Sequence, residues 1–396
     1  MTTKEKILLL LLASINFTHI MDFMIIMPLG SYLIPLFKIN PQQFSVIVSS
    51  YTFAAGIIGF SAAFFVDRYD RKKVLLIGYG GFIVGTFACA FATSYELLIL
   101  ARILAGGFGG LISAQVLSII GDTFPFEKRG RAMGILMTAF AFASAVGVPT
   151  GLFLAKNHGW HIPFIVIGSL GSIVIVFVYI YVPKMVGHIA KGDKKVNPFD
   201  VINNIKKSAN QQRALLLMVA LMLAHFSIIP FIAPFMEFNI GFTKDQVTLI
   251  YLVGGLVSIV SGPLVGTMSD KYGKFKIFSI FCLFSIIPIF LITNMPKIDY
   301  QYVLVITAMF FIFGGGRIIP AQAIITSVVH PQHRGGFMSI NSSVQQLSTG
   351  FSALLAGFIV QRTETGQLLN YHYVGYIGIA LTIICIFLAR GVKAID

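Results

Sequence analysis

Apolar runs and polar breaks alternate along the chain at a spacing that a membrane imposes. A hydrocarbon core of about 30 Å is crossed by roughly 20 apolar residues in a helix. By that measure the pattern predicts helices over 7–36, 42–66, 74–93, 95–121, 131–155 and 161–183, then over 213–238, 246–268, 275–294, 300–329, 336–361 and 371–390. Most connections are short. The exception, 184–212, is polar, basic and interrupted by Gly192 and Pro198. It reads as a linker between two six-helix halves, 1–183 and 213–396. The first run follows Lys4 and Lys6, as in a signal peptide, but stays apolar through Leu36 without a small-residue cleavage site. It is expected to remain as a helix. The expected fold class is an all-α membrane protein with twelve transmembrane helices in two pseudo-symmetric six-helix halves.

Composition removes the competing classes. Of 396 residues 56% are hydrophobic and 11% charged, whereas soluble proteins carry roughly 25% charged residues. So few charges cannot cover a soluble enzyme, and thirty-seven Phe exclude a disordered chain. The net charge of +14 would suggest nucleic acid in a soluble domain. Its distribution suggests topology instead. Twenty-two of the 29 Lys and Arg fall on the side of the N-terminus, in the loops at Arg68–Lys73, Lys128–Arg131 and Lys271–Lys276, in the linker, at Arg334 and at both ends of the chain. The opposite side holds Lys38, Lys156, Lys244, Lys297 and Arg362, and two cations, Arg102 and Arg317, lie inside apolar runs. This asymmetry places both termini in the cytoplasm. Cys89, Cys282 and Cys385 share no metal-like spacing and read as small packing residues.

The halves repeat locally. Asp67-Arg68-Tyr69-Asp70-Arg71-Lys72-Lys73 follows helix 2, and Gly266-Thr267-Met268-Ser269-Asp270-Lys271-Tyr272-Gly273-Lys274 follows helix 8. Ala114-Gln115 and Ala321-Gln322 recur at an offset of 207, each followed by a Pro (Pro125, Pro331) and an Arg-Gly (Arg129-Gly130, Arg334-Gly335). Duplicated halves are the architecture of secondary transporters. No pore-loop or ring-forming segment of a channel is visible, and neither is a Gly-rich loop ending in Gly-Lys-Ser/Thr for ATP.

Both charged loops resemble the signature loop of the major facilitator superfamily, a Gly, three residues, then Asp-Arg/Lys-x-Gly-Arg/Lys-Arg/Lys. The second copy fits with Gly266, Asp270, Lys271, Gly273 and Lys274; the first has Ala63 and Asp70 where the family usually has Gly. Arg102-Ile103-Leu104-Ala105-Gly106-Gly107 is similar to the helix-4 motif of proton-driven members. Gly147-Val148-Pro149-Thr150-Gly151 is similar to the helix-5 antiporter motif in the form of bacterial sugar and drug efflux members, and Gly159-Trp160 resembles them too. With Asp22 and Pro28 on helix 1, the chain resembles the twelve-helix drug:proton antiporter branch. The resemblance implies gating roles for Asp67, Arg68, Arg71, Gly266, Asp270, Lys271, Gly273 and Lys274, and for Gly147, Pro149 and Gly151. The last three also read as a plain packing kink, since small residues admit close helices and Pro bends them.

An ionisable side chain at membrane depth costs several kcal/mol and is a functional candidate by default. Asn16, His19 and Asp22 follow at intervals of three on helix 1, and Asp22 lies about 22 Å from its start. Among Met21, Phe23, Met24 and Ile25, Asp22 suits a group that loads and releases a proton, with His19 sharing it or orienting the carboxylate. A self-satisfied His–Asp pair is the plainer alternative. Arg102 stands about 10 Å deep as a fixed cation, to pair with a helix-1 carboxylate or to snorkel outward. These three are the proton-coupling candidates. Arg317, after Gly314-Gly315-Gly316, is a deep cation suited to substrate. Further substrate-binding candidates are Asn16, Asp22, Ser113, Gln115 and His225, and the helix-11 stripe of Asn341 and Gln345 with Ser342 and Ser348. Glu237 is expected at the outer mouth. One deep carboxylate against two arginines favours a neutral or anionic organic molecule, sugar-like or a metabolite, with drugs and multidrug resistance still open.

The reading is therefore no enzyme but a proton-coupled secondary active transporter that exports a small organic molecule by alternating access. It would sit as a monomer in a bacterial inner membrane, with solute, protons and the lipid bilayer as partners, no nucleic acid, no metal, and the proton gradient in place of a cofactor. A proton-coupled importer on the same fold is the first alternative. A membrane-embedded enzyme or lipid-handling protein is the second, and beyond His19–Asp22 no catalytic constellation supports it.

Overall fold

A computed structural model of the chain describes residues 1–62, 64, 66–124, 126–186, 198–330 and 334–395. Helix α1 is Thr3–Ile25, extended by a short helix Gly30–Leu36; α2 is Pro41–Ala62, α3 Arg71–Ala90 and α4 Tyr95–Thr123. Helix α5 runs Phe126–Phe142, passes through a π-helical stretch Ala143–Gly147 and continues as Val148–His158; α6 is Ile162–Tyr181. Helix α7 is Ala209–Phe226 with Ile229–Phe235 and a π-helical end Met236–Ile240; α8 is Lys244–Tyr272 and α9 Lys274–Thr293. Helix α10 is Tyr300–Met309, a π-helical stretch Phe310–Gly315 and Ile318–Thr326; α11 is Arg334–Ile359 and α12 Tyr371–Arg390.

Eleven of these helical spans are long and apolar enough to cross a membrane. The remaining one, α11, is a continuous 26-residue helix whose apolar run is interrupted by Asn341, Gln345, Gln346 and several serines. Exposed side chains such as Ile173, Val176, Phe177 and Ile180 on α6 are suited to lipid, where a soluble helix would place charge. The chain is a multi-pass membrane protein.

Several expected boundaries shift for identifiable reasons. The run expected over 7–36 breaks after Ile25, ahead of Pro28, and α7 breaks in the same way ahead of Pro230, because Pro offers no N–H to continue a helix. Helix α11 ends at Ile359, and the next residues form a small antiparallel hairpin, Gln361–Arg362 against Leu368–Leu369. Helix α7 begins at Ala209, capped by Ser208, whose hydroxyl accepts from Gln211 N. The expected linker contains its own helix, Pro198–Lys207, with Ile205 buried in the apolar cluster under α7, α9, α10 and α12. Gly192, Pro125 and Pro331 lie outside the described residues.

The chain folds as two compact units, Met1–Ile25 with Ser50–Pro198, and Ile26–Ser49 with Phe199–Asp396. The first is built around Leu12, Ile15, Tyr51, Leu75, Tyr79, Phe82, Ile112 and Ile119. The second is built around Leu217, Leu221, Phe278, Ala321, Ile325 and Val328. Within it, Phe44 meets the edge of Phe231 with ring centroids 6.0 Å apart, and the Lys244 ammonium lies 3.3 Å over the Tyr32 ring. Cys89, Cys282 and Cys385 are all buried and unpaired.

Glycines set the closest approach in the first unit. A Cβ at Gly106 would strike the backbone carbonyl of Tyr51, and one at Gly110 that of Ala55, so α4 lies backbone-to-backbone against α2. An added methyl in a well-packed site costs about 1–3 kcal/mol, while Ala gains up to about 1 kcal/mol over Gly in an open helix position. Gly106→Ala should therefore lower the melting temperature of the detergent-purified protein. Gly121→Ala, whose new methyl meets nothing within 4 Å, should leave it unchanged or raise it. Equal melting of the two variants would refute the close approach.

Candidate functional site

The break in α1 prepares the site of the first unit. The last four carbonyls of a helix have no intrahelical donor, and Asp22 is among the last four residues of α1. From α4, Arg102 meets both parts of that residue: Nη1 donates to Asp22 Oδ2 at 2.8 Å and to the Asp22 carbonyl at 3.2 Å. A cation at a helix C-terminus also faces the negative end of the helix dipole. Thr86 on α3 donates to Asp22 Oδ1 at 3.3 Å, and the Tyr51 ring of α2 lies 4.2 Å from the guanidinium carbon. Four helices thus converge on one ion pair. Both side chains of the pair are 0% exposed, so Arg102 does not snorkel. Removing one member of such a pair costs about 3–5 kcal/mol, because the other is left buried and uncompensated.

His19 is in the same place, but no hydrogen bond joins it to Asp22 among the described residues. Its ring leans on Tyr51 and Phe82 at centroid distances of 6.0 and 5.7 Å, and neither of its nitrogens has a hydrogen-bond partner among the described residues. Arg102 and Thr86, not His19, orient the carboxylate. Gly109 opposes His19 Nε2 and the Tyr51 hydroxyl, and that hydroxyl has no partner among the described residues either. One turn back on α1, Asn16 Nδ2 donates to the Leu136 carbonyl of α5 at 3.4 Å. The helix-5 motif touches this site from the other side: a Cβ at Gly147 would meet Met21, and one at Gly151 would meet Ile25. Pro149 stands in the first turn of the segment that follows the π-helical stretch. Ser113 donates within its own helix, to Gly109. Gln115 is fully buried with both amide atoms unpartnered among the described residues.

The second unit holds the other deep cation. Arg317 is fully buried where the π-helical stretch of α10 ends, and its Nη1 donates to Thr382 Oγ1 at 2.6 Å and Ser285 Oγ at 3.2 Å. His225 is buried, stacked on Phe310 at 5.6 Å and 12°, with Nδ1 unpartnered among the described residues. Gln345 accepts from Gln322 Nε2 at 3.3 Å; Asn341 is buried with Oδ1 unpartnered among the described residues. Ser348 is turned onto its own helix, donating to Val344. Glu237 lies half-buried in the π-helical end of α7.

The two charged loops differ. In the first, Asp70 caps α3 by accepting from Lys72 N at 3.0 Å and also accepts from Met185 N at 2.9 Å. Arg71 Nε donates to Asp122 Oδ2 at 3.0 Å, and Lys72 Nζ to the Tyr179 carbonyl at 2.7 Å. Asp70, standing where the family usually has Gly, thus straps the loop to the residues after α6. Arg68 is exposed; Asp67 lies in a short 3-10 turn, Val66–Arg68, with its side chain outside the described set. In the second loop, Gly273 turns the chain at φ 97°, and Asp270, Lys271 and Lys274 are exposed. No hydrogen bond or ion pair joins these three side chains to others among the described residues. A Cβ at Gly266 would meet nothing within 4 Å.

Thr86, Tyr51, Ser285 and Thr382 complete these sites although sequence reasoning passes over them. Neutral polar residues are ordinary in membrane helices, and only the packing of α3, α2, α9 and α12 gives them a role. Gln322 did carry a signal, through its repeat with Gln115.

With this geometry in view, the sequence model of the Major Facilitator Superfamily matches residues 12–316 and 214–394. The "Uncharacterized MFS-type transporter YceJ" of Bacillus subtilis (strain 168) is 26% identical over 357 residues, 89% of this chain and 88% of that protein. A "Probable sugar efflux transporter" of Helicobacter pylori (strain J99 / ATCC 700824) is 21% identical over 356 residues, 89% and 87% of the two chains. Among solved structures, a D-xylose-proton symporter superposes with a TM-score of 0.78 at 15% identity over 97% of each chain. A bacterial homologue of the human lysosomal transporter Spinster, in an inward-facing and occupied conformation, gives 0.73 at 14% identity over 98% of this chain and 96% of that one. The fold is that of these transporters, not of a membrane enzyme, and the chain belongs to the major facilitator superfamily, whose members carry small solutes across membranes.

Proposed function

We infer that this protein is a proton-coupled exporter of small organic molecules, working by alternating access as a monomer in a bacterial inner membrane with both termini in the cytoplasm. Proton coupling rests on one observation, the fully buried Asp22–Arg102 pair at the broken end of α1. A proton on Asp22 cancels the charge that holds Arg102, so the guanidinium and the α1 carbonyl it caps separate together. Loss of the proton restores the pair. The two ionisation states thereby favour two arrangements of α1 against α4, as a population shift requires. Met21 and Ile25, packed on Gly147 and Gly151, carry that movement to α5. Export is supported by the helix-5 motif and by the Helicobacter pylori relatives' description as probable sugar efflux transporters. The solute is sugar-like, an anionic metabolite or a drug, met by Asn16, Gln115, His225, Arg317, Asn341 and Gln345. The residues 1–183 and 213–396 act as the two six-helix halves, joined by the basic linker 184–212.

Inverted vesicles acidified inside give the test. Addition of a transported sugar, dye or organic acid to the medium should dissipate the gradient if solute enters in exchange for protons. An importer that carries solute and proton together would leave the gradient intact, and that result would reverse the direction assigned here. With Asp22→Asn, gradient dissipation should disappear while counterflow of the same labelled solute continues; full coupling in that variant would remove Asp22 from the mechanism.

The pair also predicts a stability pattern. Arg102→Met leaves the Asp22 carboxylate buried and uncompensated, so unfolding in detergent should become easier by about 3–5 kcal/mol at neutral pH. The double variant Asp22→Asn/Arg102→Met should recover much of that loss. Additive losses in the double variant would mean that the two side chains act independently.

A further inference from the structure

The second unit contains a buried cation whose charge no described residue of that unit's interior cancels. Arg317 is 0% exposed. Its Nη1 is held by the Ser285 and Thr382 hydroxyls, which spend their own protons on the Cys282 and Gly378 carbonyls. These acceptors are neutral. The Cys282 thiol is close enough for a weak side-chain hydrogen bond with the guanidinium and the Cys385 thiol lies within its electrostatic reach, but a buried thiol behaves as a small hydrophobe and brings no negative charge. His225, also within reach, offers an imidazole, which supplies no negative charge in either protonation state. Among the described residues no carboxylate pairs with Arg317. The described acids of the unit whose side chains are placed stand at helix ends or in loops, at Glu237, Asp245, Asp270, Asp299 and Glu364.

The donors left over have a definite shape. Nε and Nη2 of Arg317 are buried and have no partner among the described residues. In a guanidinium whose Nη1 lies on the side of Cδ, the Nε–H and one Nη2–H point the same way. That fork matches the two oxygens of a carboxylate. Arg102 leaves the same two nitrogens without a hydrogen-bond partner among the described residues; the contrast lies in charge, which Asp22 already meets at Arg102. Arg317 stands two residues past the π-helical stretch Phe310–Gly315, and such stretches commonly mark functional sites.

We propose that Arg317 anchors the carboxylate of the transported solute, so that the substrate class is small organic acids. Ser285 and Thr382 are positioning residues that fix Nη1 and turn the Nε–Nη2 edge toward the ligand. This deepens the exporter reading and rests on it for the word transported. Equilibrium binding is measured without transport, so a failure of proton coupling or of export direction would leave its result unaffected.

Two variants of the full-length protein, purified in detergent, decide the matter by thermal melting. Arg317→Met keeps much of the side-chain volume without the charge. If Arg317 is an uncompensated cation awaiting a ligand, this variant melts at or above the temperature of the ligand-free wild type. Melting clearly below it would show that Arg317 is a structural residue and overturn the proposal. The probes are glucuronate against glucose, benzoate against benzamide, and inorganic phosphate. The wild type should be stabilised by at least one acid and not by its neutral counterpart. That shift should vanish in Arg317→Met and shrink in Arg317→Lys, whose point charge lacks the fork. Stabilisation by phosphate alone, equal stabilisation by acid and neutral counterpart, an acid-specific shift that survives in Arg317→Met, or a wild type that neither acid shifts would each overturn the assignment.

Discussion

A charge held in hydrocarbon needs an opposite charge beside it, and the protein's two deep arginines stand on opposite sides of that requirement. Arg102 is compensated within its own unit by Asp22 at 2.8 Å. Arg317 has only neutral partners among the described residues, chiefly the two hydroxyls of Ser285 and Thr382. The first arrangement is balanced in charge, and on the mechanism proposed above a proton on Asp22 would open it. The second, on the proposal above, would be balanced by the solute's carboxylate. Most other Ser and Thr hydroxyls described in the helices return their protons to their own backbone, as Ser113, Thr307 and Ser348 do; the two arginines are the charged groups this leaves to be balanced.

Geometry serves those charges. The break in α1 frees the Asp22 carbonyl for Arg102, so one guanidinium binds the side chain and the backbone of the same residue. Gly106 and Gly110 let α4 approach the backbone of α2, which brings Arg102 onto the face of Tyr51. Gly147 and Gly151 leave room for Met21 and Ile25 on either side of Asp22 in sequence. Small residues in membrane helices make close contact of this kind possible; here they also define what a moving α1 would push against.

The sequence made much of this legible, for reasons that differ by residue. An Asp or Arg inside an apolar run is conspicuous because the bilayer makes it costly, so Asp22, Arg102 and Arg317 stood out by type and depth. The helix-5 glycines stood out through their spacing with Pro149. Thr86, Tyr51, Ser285 and Thr382 did not, because a neutral polar residue gains a role only from the helix that faces it. His19 was drawn toward Asp22 by sequence spacing, yet the ring turns to Tyr51 and Phe82 while the carboxylate turns to α3 and α4. Asp70 looked like a departure from a motif; its two backbone donors, one of them Met185 far along the chain, make it a strap. The π-helical stretches in α5, α7 and α10 and the hairpin after α11 left no periodic signature, since each is a local adjustment to packing.

Proton coupling as drawn here depends above all on Asp22 exchanging its proton while buried beside Arg102. Infrared difference spectroscopy on the purified protein with isotopically labelled aspartate measures this directly, without knowledge of the solute. A protonated-carboxyl band should grow as the pH is lowered through the range in which the gradient drives transport, shift with the label and be missing in Asp22→Asn. An Asp22 carboxyl that keeps one ionisation state throughout that range would contradict the mechanism.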